Sequence, residues 1–332
     1  MFIIDTYPVA VAFCIITMLC WGSWANTQKL AASTWRFELF YWDYVLGILL
    51  FSLLLAFTLG SIGAGGRPFL TDITQASSAS LGSAILGGII FNAANILLGA
   101  AIAIAGMAVA FPVGIGLALV IGVVVNYIAN PVGNKTLLGA GVALIVIAIL
   151  LNAFAYRRMQ SAGKHTSAKG LLLALAAGIL MGFFYKYVAA AMFPDFNTPE
   201  PGKLSPYTAV VIFSLGILLS NTVFNTLLMK RPFVGPPVTY SKYLKGSARN
   251  HITGILGGSI WCLGMSFSII ASGKAGPAIS YGLGQGATII AAGWGIFIWK
   301  EFRTAPKGTG PILAIMLLFY LIGLALLVDA GA

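Results

Sequence analysis

Long apolar stretches alternate with short polar ones along the whole chain. Ten of them approach the ~20 residues that a bilayer core requires: roughly 8–28, 41–60, 81–104, 107–128, 136–156, 170–192, 207–229, 252–272, 277–299 and 310–329. The pattern predicts an all-α membrane protein of ten transmembrane helices, numbered here as spans 1–10. Most connections are short, and none is long enough for an inserted soluble domain.

The pattern also repeats. "LGILL" stands at 46–50 and again at 215–219. A shift of about 170 residues sets Gly87-Gly88 on Gly257-Gly258 and Phe91 on Trp261, and likewise Gly106 on Gly276, Gly114 on Gly284 and Gly116 on Gly286. The chain thus divides into a first five-helix repeat at 1–156, a short basic linker at 157–169 and a second five-helix repeat at 170–332. Five is odd, so two such halves cross the membrane in opposite senses. Inverted repeats of this kind build many secondary transporters, with substrate bound near the midplane where the halves meet.

Composition removes other classes. Hydrophobic residues make up 59% of the 332, charged residues only 8%, and the mean hydropathy is +0.95; soluble domains carry about 25% charged residues. The net charge of +11 sits in the gaps between spans rather than in a readout patch, so the partner it implies is the anionic membrane face and not nucleic acid. Fourteen of the 19 Lys and Arg residues fall in the gaps after spans 1, 3, 5, 7 and 9, and Arg67, Lys135, Lys203 and Lys274 fall in the others. The positive-inside rule then makes the odd-numbered gaps cytoplasmic and turns both termini outward. Cys14, Cys20 and Cys262 lie within apolar runs as small buried hydrophobes. The two histidines, His165 and His251, stand far apart in basic gaps. No His/carboxylate cluster, nucleophile elbow or metal spacing is legible, so neither an enzyme nor a cofactor is expected.

Some residues carry a likeness: Gly22-Ser23-Trp24 late in span 1, Asp43-Tyr44 opening span 2, and Ala56-Phe57-Thr58 with Gly60 and Ile62-Gly63 at its end. Through them the chain resembles the drug/metabolite transporter superfamily, and within it the ureide permease family and the related glucose/ribose and rhamnose permeases. The likeness is specific over spans 1–2 and architectural elsewhere. It implies a secondary active transporter working by alternating access on a ureide such as allantoin, or on a nucleobase-like solute, in symport with protons. A sugar or nucleoside permease, or a metabolite exporter, of the same superfamily is the alternative. Plant members carry a long central loop with a Walker-A-like stretch. The "RRMQSAGKHTSAK" of 157–169 has none, so nucleotide regulation is not implied. The compact chain is similar to a bacterial relative, which implies the inner (plasma) membrane.

Candidate binding residues are polar or aromatic groups within spans, because such groups facing lipid are costly. Thr17, Trp21, Trp24 and Gln28 share one face of span 1. Trp21 is the deepest of the tryptophans there, and Trp24 and Gln28 read equally as an interfacial anchor. Asn92 and Asn95 on span 3 either contact substrate or bond between helices beside glycines. The repeat sets Cys262 and Met265 opposite them, beside Trp261, which predicts a cavity polar on one wall and apolar on the other. Tyr281 and Gln285 lie one turn apart on span 9. Pro112 and Pro277 are expected to break or kink spans 4 and 9. Asp43 is the nearest carboxylate to the path, either a coupling group or a helix N-terminal acid; Glu38 and Glu301 are weaker candidates. Lys186 within span 6 either snorkels to the outer interface or serves a gate.

Overall fold

The computed structural model describes residues 1–105, 107–159, 167–300, 303 and 305–332. Among these residues there are helices and loops, with no strand beyond one isolated bridge between Met192 and Leu204. The helices are α1 (Tyr7–Ser23), α2 (Asn26–Leu30), α3 (Phe37–Phe57), α4 (Phe69–Gln75), α5 (Ser78–Ala105), α6 (Met107–Ala129), α7 (Lys135–Met159), α8 (Ala168–Ala191), α9 (Pro206–Lys230), α10 (Tyr240–Leu244), α11 (Ala248–Gly284), α12 (Ala287–Gly293) and α13 (Thr309–Asp329). A π-helical turn, Trp294–Ile298, continues α12.

Among the described residues, seven helical runs are long and apolar enough to cross a bilayer, and Tyr7–Ser23 and Val113–Ala129 are shorter apolar helices. One of the seven, Ala248–Ile298, has 51 residues. At 1.5 Å per residue it would extend about 75 Å if straight, more than twice a hydrocarbon core of ~30 Å. It does not run straight: Gly276 takes φ 77° inside α11, a conformation open to glycine and strained for other residues. Pro277 follows directly. It therefore starts the second limb of α11 and does not kink a crossing from within. Pro112 falls inside α6, and its side chain lies outside the described residues, as do His165, Glu301 and most of the 157–169 linker.

Local chemistry sets the helix starts. Ser205 caps α9 by accepting from Thr208 N at 3.2 Å, with Pro206 in the first turn; Ser247 caps α11 through Asn250 N. Both satisfy amides that a helix start leaves unpaired. The helix α3 begins four residues before the apolar run that predicted it, at an Arg36–Glu38 ion pair. Asp43 is therefore nearly two turns inside the helix and buried, not at its mouth.

Hydrogen bonds between loops sort the bundle into two ends. At one, Arg36 bonds to Val234 O, Arg249 to Leu30 O and Arg158 to Lys307 O. We term this the basic end. At the far end, Met1 bonds to Gly65 O, Arg67 to Glu200 O and Lys203 O, Tyr7 to Val328 O, and Asn134 N to Ala330 O. Both termini lie there.

Close helix crossings hold the core. A Cβ on Gly88 of α5 would overlap Phe213 O of α9 and lie 2.9 Å from Ile217 N. A Cβ on Gly258 of α11 would overlap Tyr44 O of α3 and lie 2.9 Å from Ile48 N. Gly216 and Gly47 meet Ile85 O and Ile255 O in the reciprocal contacts. With little hydrophobic drive between helices in lipid, such backbone approach supplies packing that larger side chains would prevent.

Candidate substrate site

Two helical runs change their hydrogen bonding at the same depth. After Trp24, Thr27 N bonds to Trp24 O and Gln28 N to Ala25 O; after Leu283, Gly286 N bonds to Leu283 O, Thr288 N to Gln285 O and Ile289 N to Gly286 O. Each is a switch from four-residue to three-residue bonding, which interrupts the helix and marks a position able to bend. The two interruptions are tied together toward the basic end. Trp294 Nε1 donates to Ser23 Oγ at 2.8 Å, Trp299 Nε1 donates to Asn26 Oδ1 at 2.7 Å, and the Lys29 ammonium lies 4.3 Å from the Trp299 ring centroid.

Between them is a cavity of about 150 Å³, walled by Trp21, Trp24, Phe91, Asn95, Leu98, Met181, Phe184, Trp261, Gln285 and Thr288 among others. Trp21 and Trp261 stack at 5.9 Å with an 11° angle, and Trp21 Nε1 donates to Trp261 O at 3.2 Å. Phe91 lies against Trp261 at 4.4 Å. The polar groups in this aromatic box are few. Asn95 donates its amide nitrogen to Tyr41 Oη at 3.1 Å, and Gln285 stands at the second interruption. Towards the basic end, a second cavity of about 670 Å³ includes Gln28, Lys29, Trp35, Arg36 and Glu38. The two share Trp24, Ala25, Asn95 and Leu98 as a common wall.

Towards the far end, packed hydroxyls close the path. Tyr185 Oη lies 3.1 Å from Ser268 Oγ and 2.9 Å from Ser280 Oγ, joining α8 to both limbs of α11. Tyr281 donates to Ala118 O and Met181 O. Beyond this layer a third cavity of about 400 Å³ includes Lys186, Asn126, Glu200, Lys203 and Ser272.

The structure thus separates residues that spacing had grouped. Asn95 and Gln285 line the central cavity, with Trp21, Trp24 and Trp261. Asn92 does not: it is fully buried, accepts from Tyr41 Oη at 2.9 Å and donates to Ser220 Oγ at 2.9 Å. Tyr281 is committed to carbonyls on α6 and α8 and lies outside the cavity. Gln28, past the interruption, faces the larger cavity instead. The apolar wall expected from Cys262 and Met265 is formed by Trp261 and Phe91, because both former side chains are fully buried in packing. Lys186 is exposed in the far-end cavity.

Asp43 has partners that its neighbourhood in sequence does not disclose. His251 Nδ1 lies 3.0 Å from each Asp43 carboxylate oxygen, and Tyr243 donates to Oδ1 at 2.6 Å. The Asp43 side chain is 2% exposed and that of His251 26%. A His/carboxylate cluster is therefore present, contrary to the reading of the sequence. Burial and the neighbouring Asp43 carboxylate push the Tyr243 phenol up.

The profile of the ureide permease family matches residues 40–169 and 155–330. The chain belongs to the ureide permease family. The family name denotes transporters rather than enzymes, and with the apolar helices it establishes an integral membrane protein. Ureide permease 1 of Arabidopsis thaliana is 23% identical over 388 aligned residues, covering 100% of this chain and 99% of the relative. Ureide permease 4 of the same plant is 22% identical, with coverage of 100% and 99%. A solved crystal structure shares the fold at TM-score 0.62 and 15% identity, covering 97% of each chain.

In this ureide permease family member, several site groups escaped sequence reading. His251 is 208 residues from Asp43, so no local spacing could pair them. Phe91 and Phe184 look like ordinary span residues. Trp294 and Trp299 carried a signal, two N–H donors in an apolar run, each needing a partner.

Proposed function

We propose that this chain is a secondary transporter moving a ureide, such as allantoin, or a nucleobase-like solute by alternating access. The observation that carries the reading is the aromatic box with Asn95 and Gln285 at its edge. It has a common wall with the wide basic-end cavity, and hydroxyl layers close it from the far end. Such an arrangement fits a carrier open to one side. A flat, uncharged solute rich in N–H and C=O groups stacks on the Trp21–Trp261 pair. It exchanges hydrogen bonds with the Asn95 carbonyl and the Gln285 amide. At about 150 Å³ the box is smaller than the ~300–1,000 Å³ of drug-sized sites, which favours a small ring.

The proposed architecture is ten spans in two inverted five-helix repeats, 1–156 and 170–332, joined by 157–169. The reciprocal glycine crossings support it. So does the pairing of α5 with α8 and α9, mirrored by that of α11 with α1 and α3. This places the protein in the drug/metabolite transporter superfamily beside the glucose/ribose and rhamnose permeases. The basic end is cytoplasmic by the positive-inside rule, both termini face outward, and a bacterial inner membrane suits the compact chain. Protons are the proposed coupling ion. The proposed coupling group is the buried Asp43 carboxylate with its His251 and Tyr243 partners, since a buried charge left unpaired is costly. Lys186 is assigned to the outer mouth.

Proteoliposomes test the reading directly. Labelled allantoin or uracil is expected to accumulate under an inward proton gradient. No uptake of any ureide, nucleobase, nucleoside or pentose under any gradient would refute transport of this class.

A further inference from the structure

The far-end cavity has a chemistry that the central box lacks. Asn126 on α6 is 1% exposed, and its Nδ2 donates to Gly122 O at 2.7 Å. That bond fixes the amide orientation and leaves Oδ1 as an acceptor. Oδ1 is buried and has no hydrogen-bond partner among the described residues. A buried amide oxygen left unpaired costs about 1–3 kcal/mol, and this one belongs to a residue that lines an open cavity of about 400 Å³. In the same wall stands Lys186, whose ammonium makes no hydrogen bond or ion pair among the described residues. Its neighbour Lys203 is committed, donating Nζ to Ala190 O at 2.6 Å. Glu200 also lines the cavity and forms no ion pair with either lysine. The cavity wall therefore carries one unpaired cation, Lys186, and one residue, Asn126, whose buried amide oxygen has no partner among the described residues.

We propose that this far-end cavity is a second binding site, for a small amide-rich solute carrying a carboxylate. The carboxylate sits on the Lys186 ammonium as a charge-assisted hydrogen bond, and an N–H of the solute donates to Asn126 Oδ1. The site lies outside the Tyr185–Ser268–Ser280 layer, so it receives a solute before the central box opens to that side. It thereby discriminates by charge, where the central box discriminates by shape. The assignment of cargo rests on the ureide-transport reading; the site itself does not.

The test uses the full-length protein in nanodiscs with Ala189, another residue of the wall, changed to cysteine. The native cysteines Cys14, Cys20 and Cys262 are all buried and give a low background. Labelling by a membrane-impermeant maleimide is followed while allantoate or neutral allantoin is added. Allantoate is expected to protect the thiol at lower concentration than allantoin. Lys186→Gln is expected to raise the half-protecting concentration of allantoate about tenfold, the loss of a charge-assisted bond, and to leave allantoin unchanged. Lys186→Arg is expected to restore protection. Asn126→Leu weakens protection by both solutes, and its thermal unfolding midpoint shows whether it folds. No protection by allantoate, or protection indifferent to Lys186→Gln, overturns the site. Uptake of allantoin into proteoliposomes without any protection overturns the site and leaves the transport reading standing. Protection without uptake of either solute supports the site and removes that reading.

Discussion

The crossing of α5 on α9 and that of α11 on α3 are alike in backbone and unlike in side chains. In both, a glycine sits on a carbonyl oxygen and lies 2.9 Å, at its Cβ position, from the amide four residues on. Within about two turns of these contacts the likeness stops. Asn92 and Asn95 on α5 take the positions of Cys262 and Met265 on α11, and Asp43 on α3 takes that of Ile212 on α9. The two crossings thus match where backbone meets backbone, while each polar group stands at only one of its two matching positions. A crossing fixed by main-chain contact tolerates any sequence that keeps its glycines, whereas a binding group is needed only once.

The sharpest way to break this comparison is to fill a crossing. Gly258→Leu and Gly88→Leu drive side chains into main-chain atoms that cannot retreat. Each is expected to remove about 3 kcal/mol or more of stability and to abolish folded protein in size-exclusion and thermal-unfolding assays. Gly139→Ala, which meets nothing within 4 Å, is the control and stays folded. If one glycine tolerates leucine while the other does not, the crossings are not equivalent.

Next in size is the contrast between the two asparagines. Asn95→Ala and Trp21→Ala are expected to reduce uptake about 100-fold at unchanged surface level, since an unpaired polar group costs about 1–3 kcal/mol and a lost aromatic contact about 0.5–1.5 kcal/mol beyond the burial it forfeits. Asn92→Ala leaves Tyr41 and Ser220 short of a partner, and lowers the unfolding midpoint while keeping the KM for uptake. A KM effect from Asn92→Ala alone would reverse their roles.

Smaller still, Asp43→Asn and His251→Gln are expected to lose gradient-driven accumulation but retain solute exchange. Unchanged accumulation in both would clear the pair of coupling. The smallest effect is at the far-end layer. Tyr185→Phe removes bonds of about 1 kcal/mol each and should raise thiol labelling of a Ser272→Cys reporter about fivefold, without loss of folding.

Periodicity exposed the helices because a bilayer demands long apolar runs. It missed the short α4 and α10, which lie in connections. It also missed the interruptions at Trp24 and Gln285, because the residues there are ordinary for a helix and only their hydrogen bonding changes. Of the candidate residues, Trp21, Trp24, Asn95, Trp261 and Gln285 meet at the cavity, while Asn92 and Tyr281 share their faces only in projection. Helical spacing places a side chain on a face to within tens of degrees. Whether that face meets a cavity or a carbonyl on a neighbour depends on where the neighbour crosses.

The sequence by itself determined an integral membrane protein of apolar helices with a basic end, because hydrophobic length and charge placement act residue by residue against the bilayer. Its glycine register also marked the two matching crossings, Gly88 with Gly258 and Gly47 with Gly216. Only the tertiary structure decided which polar groups meet. Asp43 with His251 and Trp21 with Trp261 are pairs from distant spans. Their proximity follows from helix packing, which depends on the whole bundle at once and leaves no local mark in the chain.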